Sequence, residues 1–459
     1  MEVVLGADVG TSGLKLVALA DDGAVLAEAE AGYEPDRPRP GQAQSDVGTW
    51  VGALTTAAGE LAPRLGGRRV RGLGLSGQMH GAGLVDDAGR PLRPALLWPD
   101  ERATAELDRW RALPAADRAA LANPLVAGMT GPLAAWLAGH EPDAVAAAAA
   151  VLLPKDAVRA ALVPGAAPAV TDRSDASATL LWDVPGERWL PAAADAAGLP
   201  ARLLPAVRPA TEVVGTTGLA GFGEVPVVVG GADTALALLA AGGTAAQLNL
   251  GTGAQLLAPG WVPAPADDPP VHGYADATDG WYRMAALRNA GSAWAWVCRV
   301  LGLSWPELFA AAEAVPAGAG GVVFRPFLAG ERGGVAGPAD RGSWTGLGPG
   351  TTREDLARAA VEGVVFAVAA AAGLVGEGAG ELLVTGGGAR AGVVRRLLAD
   401  ALGRPVRVLG LRSASAVGAA VLAARGTGGD VVPRRDPDPP VEPRADPALA
   451  AAARRWAAR

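Results

Sequence analysis

Twice the sequence sends an apolar strand into a small Gly-Thr turn and out into a second apolar strand. The first copy is Leu5-Gly6-Ala7-Asp8-Val9-Gly10-Thr11-Ser12-Gly13-Leu14-Lys15, and the second is Leu248-Asn249-Leu250-Gly251-Thr252-Gly253-Ala254-Gln255-Leu256. A supersecondary unit repeated at this separation implies two related halves rather than one continuous core. It sets an expected boundary near residue 220, with domains at 1–220 and 221–459. The length of 459 residues points the same way, because single hydrophobic cores rarely organise so much chain.

Around the first turn the pattern is an antiparallel meander, with apolar runs Val3 to Ala7, Leu14 to Leu19 and Ala24 to Ala29. A helix is expected over Thr49 to Ala62, stopped by Pro63, then strands at Arg69 to Leu75 and Ala82 to Val85. After the Pro-containing stretch Leu204 to Gly223, an apolar strand Val225 to Val229 leads through Gly230-Gly231-Ala232-Asp233 into a helix at Thr234 to Ala241. This reads as α/β with some antiparallel strands. The Pro-, Arg- and Asp-rich tail after Gly429, with its closing helix from Pro447, is expected to be peripheral.

Composition narrows the function. A formal net charge of -7 argues against a nucleic-acid binder, which needs clustered Lys and Arg to neutralise phosphates. The one cysteine, Cys298, forms no intrachain disulfide, and three histidines without Cys/His spacing suggest no zinc site. Half the residues are hydrophobic and 19% are charged, as in a well-buried globular protein. Residues 1–8 lack a basic n-region, and the apolar stretches 144–154 and 363–376 fall short of a bilayer span, so a cytoplasmic protein with no membrane partner is expected.

Turns that lay backbone N–H groups against phosphate oxygens favour glycine. Gly10, Thr11, Ser12 and Gly13 form one such turn with Lys15 nearby, Gly251, Thr252 and Gly253 a second, and Gly386, Gly387, Gly388 and Ala389 a third between a strand at Leu382 to Val384 and a helix at Val393 to Leu402. Any of them alone could merely reverse the chain. Asp8, at the end of a buried strand, needs a metal, a cation or donors, and Mg²⁺ with a nucleotide phosphate would meet that need. Asp233 reads equally as an N-cap or as a general base held at a helix N-terminus. No G-x-x-x-x-G-K-[ST] occurs, and the G-x-G-x-x-G at Gly72, Gly74 and Gly77 runs into loop and strand rather than a helix, so neither common nucleotide signature applies.

The residues resemble the FGGY carbohydrate kinases, and among them the xylulokinases most closely, over nearly the whole chain. The motifs that carry the resemblance are Asp8 to Lys15, Leu75-Ser76-Gly77-Gln78-Met79-His80-Gly81, Leu92 to Trp98, Asn123 to Thr130, Leu153-Pro154-Lys155-Asp156, Thr171-Asp172-Arg173-Ser174-Asp175-Ala176-Ser177, Gly330-Glu331-Arg332 and Gly386 to Ala389. The resemblance implies two ribonuclease-H-like domains of the actin and hexokinase type, with a sugar deep in the interdomain cleft and ATP mainly on the second domain. It implies Asp233 as catalytic base, Asp8 as the carboxylate near Mg²⁺, and Gln78, Met79, His80, Gly81, Trp98 and Thr234 at the sugar. It places Gly10, Thr11, Ser12, Lys15, Gly251, Thr252, Gly253, Gly387, Gly388 and Ala389 at ATP, and suggests a homodimer.

Thr234 stands where the family commonly has Asn, Pro99 where Asn follows Trp98, and Gly337 where Asp precedes Pro338. The resemblance makes D-xylulose the leading acceptor, and the departures at Thr234 and Pro99, near the sugar in the family, leave ribulose, ribitol, glycerol or sedoheptulose as alternatives. A non-catalytic nucleotide-dependent sugar-binding protein on the same fold is the rival from another class.

Overall fold

The computed structural model describes residues 2–163, 165, 169–376, 380–435 and 438–458. The opening meander forms as β1 (Val3–Val9), β2 (Gly13–Ala20) and β3 (Val25–Gly32), each antiparallel to the one before. Every residue of β1 except Asp8 is buried, which explains why it reads as an unbroken apolar run.

On its other side β1 pairs in parallel with Val70–Gly77, which pairs in parallel with Gly223–Val228. Val213–Leu219 then closes that edge antiparallel to Gly223–Val228. The apolar segment 225–229 thus belongs to the first sheet, so the first sheet runs past the expected boundary near 220. A strand also occupies part of the Pro-containing stretch, where no strand was expected.

The second sheet repeats the plan. Ala254–Pro259 pairs antiparallel with Ala246–Leu250 on one side and with Trp281–Leu287 on the other, and Ala246–Leu250 pairs in parallel with Leu382–Thr385, which pairs in parallel with Val406–Val408. The two Gly-Thr hairpins therefore occupy equivalent places in two ribonuclease-H-like domains, as the repeat implied. Their turns close alike: Gly10 N–H donates to Gly13 O and Gly251 N–H to Gly253 O, each at 3.0 Å.

Two helices lie between the sheets. Asp233–Ala240 leads off the first sheet, and Ala414–Gly426, from the end of the second half, returns to cover that same sheet. The approach leaves no room for side chains: a Cβ on Gly6 would stand 1.9 Å from Ala416 O, on Gly74 1.9 Å from Ala419 O, and on Gly418 2.1 Å from Leu236 O. Gly74 of the discounted G-x-G-x-x-G thus serves helix packing inside a strand.

On the outer face, Val47–Leu61 buries Val47, Trp50, Leu54, Ala57, Ala58 and Leu61 at helical spacing, is capped by Asp46, and ends two residues before Pro63 as expected. The tail is less peripheral than its composition suggests. Its helix Pro447–Ala457 buries Leu449, Ala452 and Trp456, and the Trp456 indole donates to Phe324 O at 2.9 Å. Arg353–Val375 is the described helix long and apolar enough to cross a membrane, but 78% of its most apolar window is buried inside the protein.

Candidate active site

Strand register brings the two carboxylates together. In the first sheet Ser76 lies opposite Asp8 on one side and Gly231 on the other, so Asp8 and Asp233 come from strand ends flanking the same central strand. The carboxyl ends of parallel strands are where open α/β sheets place their crevices. Here a cavity of about 710 Å³ opens, lined by Asp8, Lys15 and Glu28 from the first meander and by Asp233 and Thr234. Its far wall comes from the second half, including Asn249, Thr385, Arg390, Arg412 and Ser413.

Ser76 Oγ donates to Asp8 Oδ1 at 2.8 Å. Burial raises the Asp8 pKa, against that hydrogen bond and the Lys15 charge, which lower it. Asp233 is pushed up to about 7, first by burial and then by the negative charge of Asp8. Thr234 N–H, at the start of the helix, donates to Asp233 Oδ1 at 2.7 Å and opposes the rise. A carboxylate poised near neutrality suits a general base.

Of the expected sugar-side residues, Thr234 lines this cavity, while Gln78, Met79, His80, Gly81 and Trp98 do not. Trp98 Nε1 donates to Thr11 Oγ1 at 3.0 Å, Thr11 donates to Gln78 Oε1 at 3.2 Å, and Gln78 Nε2 donates to Gly10 O at 3.2 Å. Thr11 of the first turn is thereby tied to the loop of residues 78–81. Within that loop His80 has φ 64° and Gly81 φ 79°, and a Cβ on Gly81 would press on Leu96 O at 2.8 Å. His80 Nδ1 meets Ala178 O at 2.6 Å; a carbonyl only accepts, so Nδ1 carries the proton and Nε2 is left as an acceptor. Burial lowers the His80 pKa to about 4, keeping the ring neutral.

Thr234 joins the loop to the second half. Its hydroxyl donates to Met79 Sδ at 3.0 Å and lies 2.6 Å from the Tyr282 phenol oxygen. Tyr282 packs edge-on to Tyr274, whose hydroxyl is 2.7 Å from His272 Nδ1, and Tyr274 in turn faces His80. Tyr282, Tyr274 and His272 escaped the sequence reading. The available signal was density: two of three tyrosines and one of three histidines fall within 272–282.

The nucleotide-side expectations divide. Lys15 and Ala389 line the cavity; Gly10, Thr11, Ser12, Gly251, Thr252, Gly253, Gly387 and Gly388 do not. Ser12, Thr252 and Gly387 are exposed. Gly388 is buried, and a Cβ there would meet Trp294 at 2.8 Å and Leu250 at 2.9 Å, so its lack of side chain answers a packing demand. Gly253 is likewise held bare by Leu287 O, 2.4 Å from where its Cβ would lie.

Among the described residues no group of three or more His, Cys, Asp or Glu could hold a metal. Mg²⁺ bound through one or two carboxylates and substrate phosphates requires no such group, and Asp8, on the cavity wall with Lys15, fits that pattern.

Residues 3–240 match the N-terminal domain, and residues 246–427 the C-terminal domain, of the FGGY family of carbohydrate kinases. The chain belongs to this family. The gap between the two matches, 241–245, follows the first interdomain helix. Over 92% of this chain and 88% of the relative, the sequence is 34% identical to a protein named xylulose kinase from Escherichia coli (strain K12). It is also 34% identical to a xylulose kinase of Streptomyces rubiginosus over 92% and 87% of the two chains. A crystal structure described as a xyloylose kinase from Brucella ovis superposes with TM-score 0.90 at 30% identity, covering 99% of this chain and 97% of that one. A xylulose kinase from Rhodospirillum rubrum gives TM-score 0.88 at 28% identity over 99% and 97%. The FGGY chain described here is thus a carbohydrate kinase with the two-domain fold of those neighbours.

Proposed function

We propose that this FGGY kinase transfers the γ-phosphoryl group of Mg-ATP to the terminal hydroxyl of a ketopentose, D-xylulose, giving D-xylulose 5-phosphate. The observation that carries the reading is the pairing of Asp8 and Asp233 across Ser76 at the mouth of the cleft. The full-length similarity to proteins named xylulose kinase supports the acceptor.

Asp233, ionised, takes the proton from the acceptor hydroxyl as that oxygen attacks phosphorus in line and ADP leaves. Asp8, with Lys15 beside it, faces the phosphates and is the residue that would hold Mg²⁺. A Mg²⁺ ion held there would supply positive charge to offset the negative charge that develops during the transfer. The sugar lies against the first domain, where neutral His80 offers Nε2 to a hydroxyl and Trp98 gives a flat wall. ATP lies against the second, whose segments 247–257, 385–390 and 408–415 form most of the cleft wall.

The test is ADP release with Mg-ATP across D-xylulose, D-ribulose, L-ribulose, ribitol, glycerol and sedoheptulose, run beside Asp233→Asn. Turnover on D-xylulose that disappears in the variant is expected. Turnover on another acceptor moves the specificity, and none on any acceptor favours a sugar-binding protein without catalysis.

A further inference from the structure

Behind the site lies an ion cluster that the phosphoryl transfer does not touch. Lys155 Nζ is fully buried and contacts Asp156 Oδ1 at 2.6 Å, Asp172 Oδ1 at 3.1 Å and Asp175 Oδ2 at 3.1 Å. Arg159 joins through Asp156 at 2.5 Å. Burial raises the Asp175 pKa well above its ordinary value, with the charge of Lys155 opposing the rise and those of Asp172 and Asp156 adding to it. An apolar core of the same volume is often at least as stable as buried ion pairs, so the cluster is better explained by the geometry it imposes than by stability.

That geometry reaches the site at three places. Asp172 accepts from both the N–H and the hydroxyl of Ser174, which aims the Ser174 lone pairs at the N–H of Ala232, 2.9 Å away. Ala232 immediately precedes Asp233. Arg159 donates to Val229 O at 3.3 Å, at the other end of the same connection. The Lys155 backbone presses on Gly77, where a Cβ would stand 2.9 Å from the lysine Cβ, and Gly77 immediately precedes the 78–81 loop. The His80 contact to Ala178 O comes from the turn after Arg173–Ala176, the short helix that carries Ser174.

We propose that Ser174 is a positioning residue for the transfer: oriented by the buried Lys155–Asp172 pair, it fixes the backbone at Ala232 and thereby the direction of the Asp233 carboxylate. This rests on Asp233 being the base. Without the hydroxyl, the Ala232 N–H loses this partner, and the strand end is held by its pairing with Ser76 and Gly77 alone. A displacement of about 1 Å at a reacting group can cost on the order of 10²-fold in rate.

The experiment measures kcat, both KM values and the folded fraction by circular dichroism for Ser174→Ala, Asp172→Asn and Asp233→Asn. Expected is a kcat lower by about 10²-fold in Ser174→Ala, with the KM for ATP and the folded fraction at wild-type values. Asp172→Asn, which keeps the shape but loses the charge that orients Ser174, falls in the same direction. Wild-type kcat in Ser174→Ala, or a loss that only tracks the folded fraction, overturns the proposal. Activity retained in Asp233→Asn instead overturns the base assignment on which it rests.

Discussion

The Thr234 hydroxyl oxygen stands 2.6 Å from the Tyr282 phenol oxygen, and the same hydroxyl donates to the Met79 sulfur at 3.0 Å. The residue that follows Asp233 in sequence is in this way fastened to both the 78–81 loop and the second sheet. Thr234, expected as a direct sugar contact, spends its hydroxyl on these two partners.

The pair is testable by a double-mutant cycle. Thr234→Val strands a buried phenol and is expected to cost about 1–3 kcal/mol, while Tyr282→Phe removes only one partner and costs about 1 kcal/mol. The double variant should be less destabilised than the sum, with a coupling on the order of 1 kcal/mol in urea unfolding. Additive losses would mean that the two hydroxyls do not interact.

Asp233 gives a pH signature with two opposite slopes. As a base it must be ionised, so kcat/KM for the sugar should rise with pH and level off above about 7, where burial and Asp8 set its pKa. Stability moves the other way. The folded pKa is raised from 3.8 to about 7, so the folded state holds a proton the unfolded chain has lost, and that contribution, full below the unfolded value, disappears as pH rises through the folded one. Asp233→Asn should flatten the stability slope over that window and lower kcat by about 10²–10⁴-fold. A variant whose unfolding free energy keeps the wild-type pH slope would show that another group is responsible.

The link from Trp98 through Thr11 to Gln78 makes a narrower prediction. Thr11→Val removes one acceptor and one donor and is expected to cost the loop about 1 kcal/mol, roughly fivefold in the KM for sugar, leaving the KM for ATP in place. Thr11→Ser keeps the hydroxyl and should behave as wild type. A rise in the ATP KM alone would assign Thr11 to the nucleotide.

What the sequence revealed and concealed follows from range. The hairpins, Asp8 and Asp233 were legible because local alternation and glycine turns write them into adjacent residues. Gly388, which the resemblance places at ATP, must also stay bare for Trp294 and Leu250, and a glycine wanted by a ligand and one wanted by packing look alike in sequence. Tyr274, Tyr282 and His272 stayed hidden because their meaning depends on meeting Met79 and His80, far away in the chain. The segment 225–229 repeats the apolar character of a domain start, and only its pairing with Val70–Gly77 assigns it to the first sheet. The return of Ala414–Gly426 to that sheet was equally invisible, although Gly6, Gly74 and Gly418 are its trace in the sequence.

Those glycines give a comparison within one protein. Gly418 lies where a Cβ would stand 2.1 Å from Leu236 O, whereas nothing lies within 4 Å of a Cβ on Gly52, in the helix Val47–Leu61. Gly52→Ala should therefore stabilise by about 0.4–1 kcal/mol through the unfolded chain, with unchanged kcat. Gly418→Val must push the two interdomain helices apart, at an expected cost of about 1–3 kcal/mol. Leu236 sits one turn from Asp233, so the displacement travels down a rigid helix to the carboxylate, and kcat should fall even in the fraction that remains folded. Thermal melting and active-enzyme titration on both variants check this; a Gly418→Val enzyme that is less stable but fully active per folded molecule would show that the helix contact holds the domains together without setting the base.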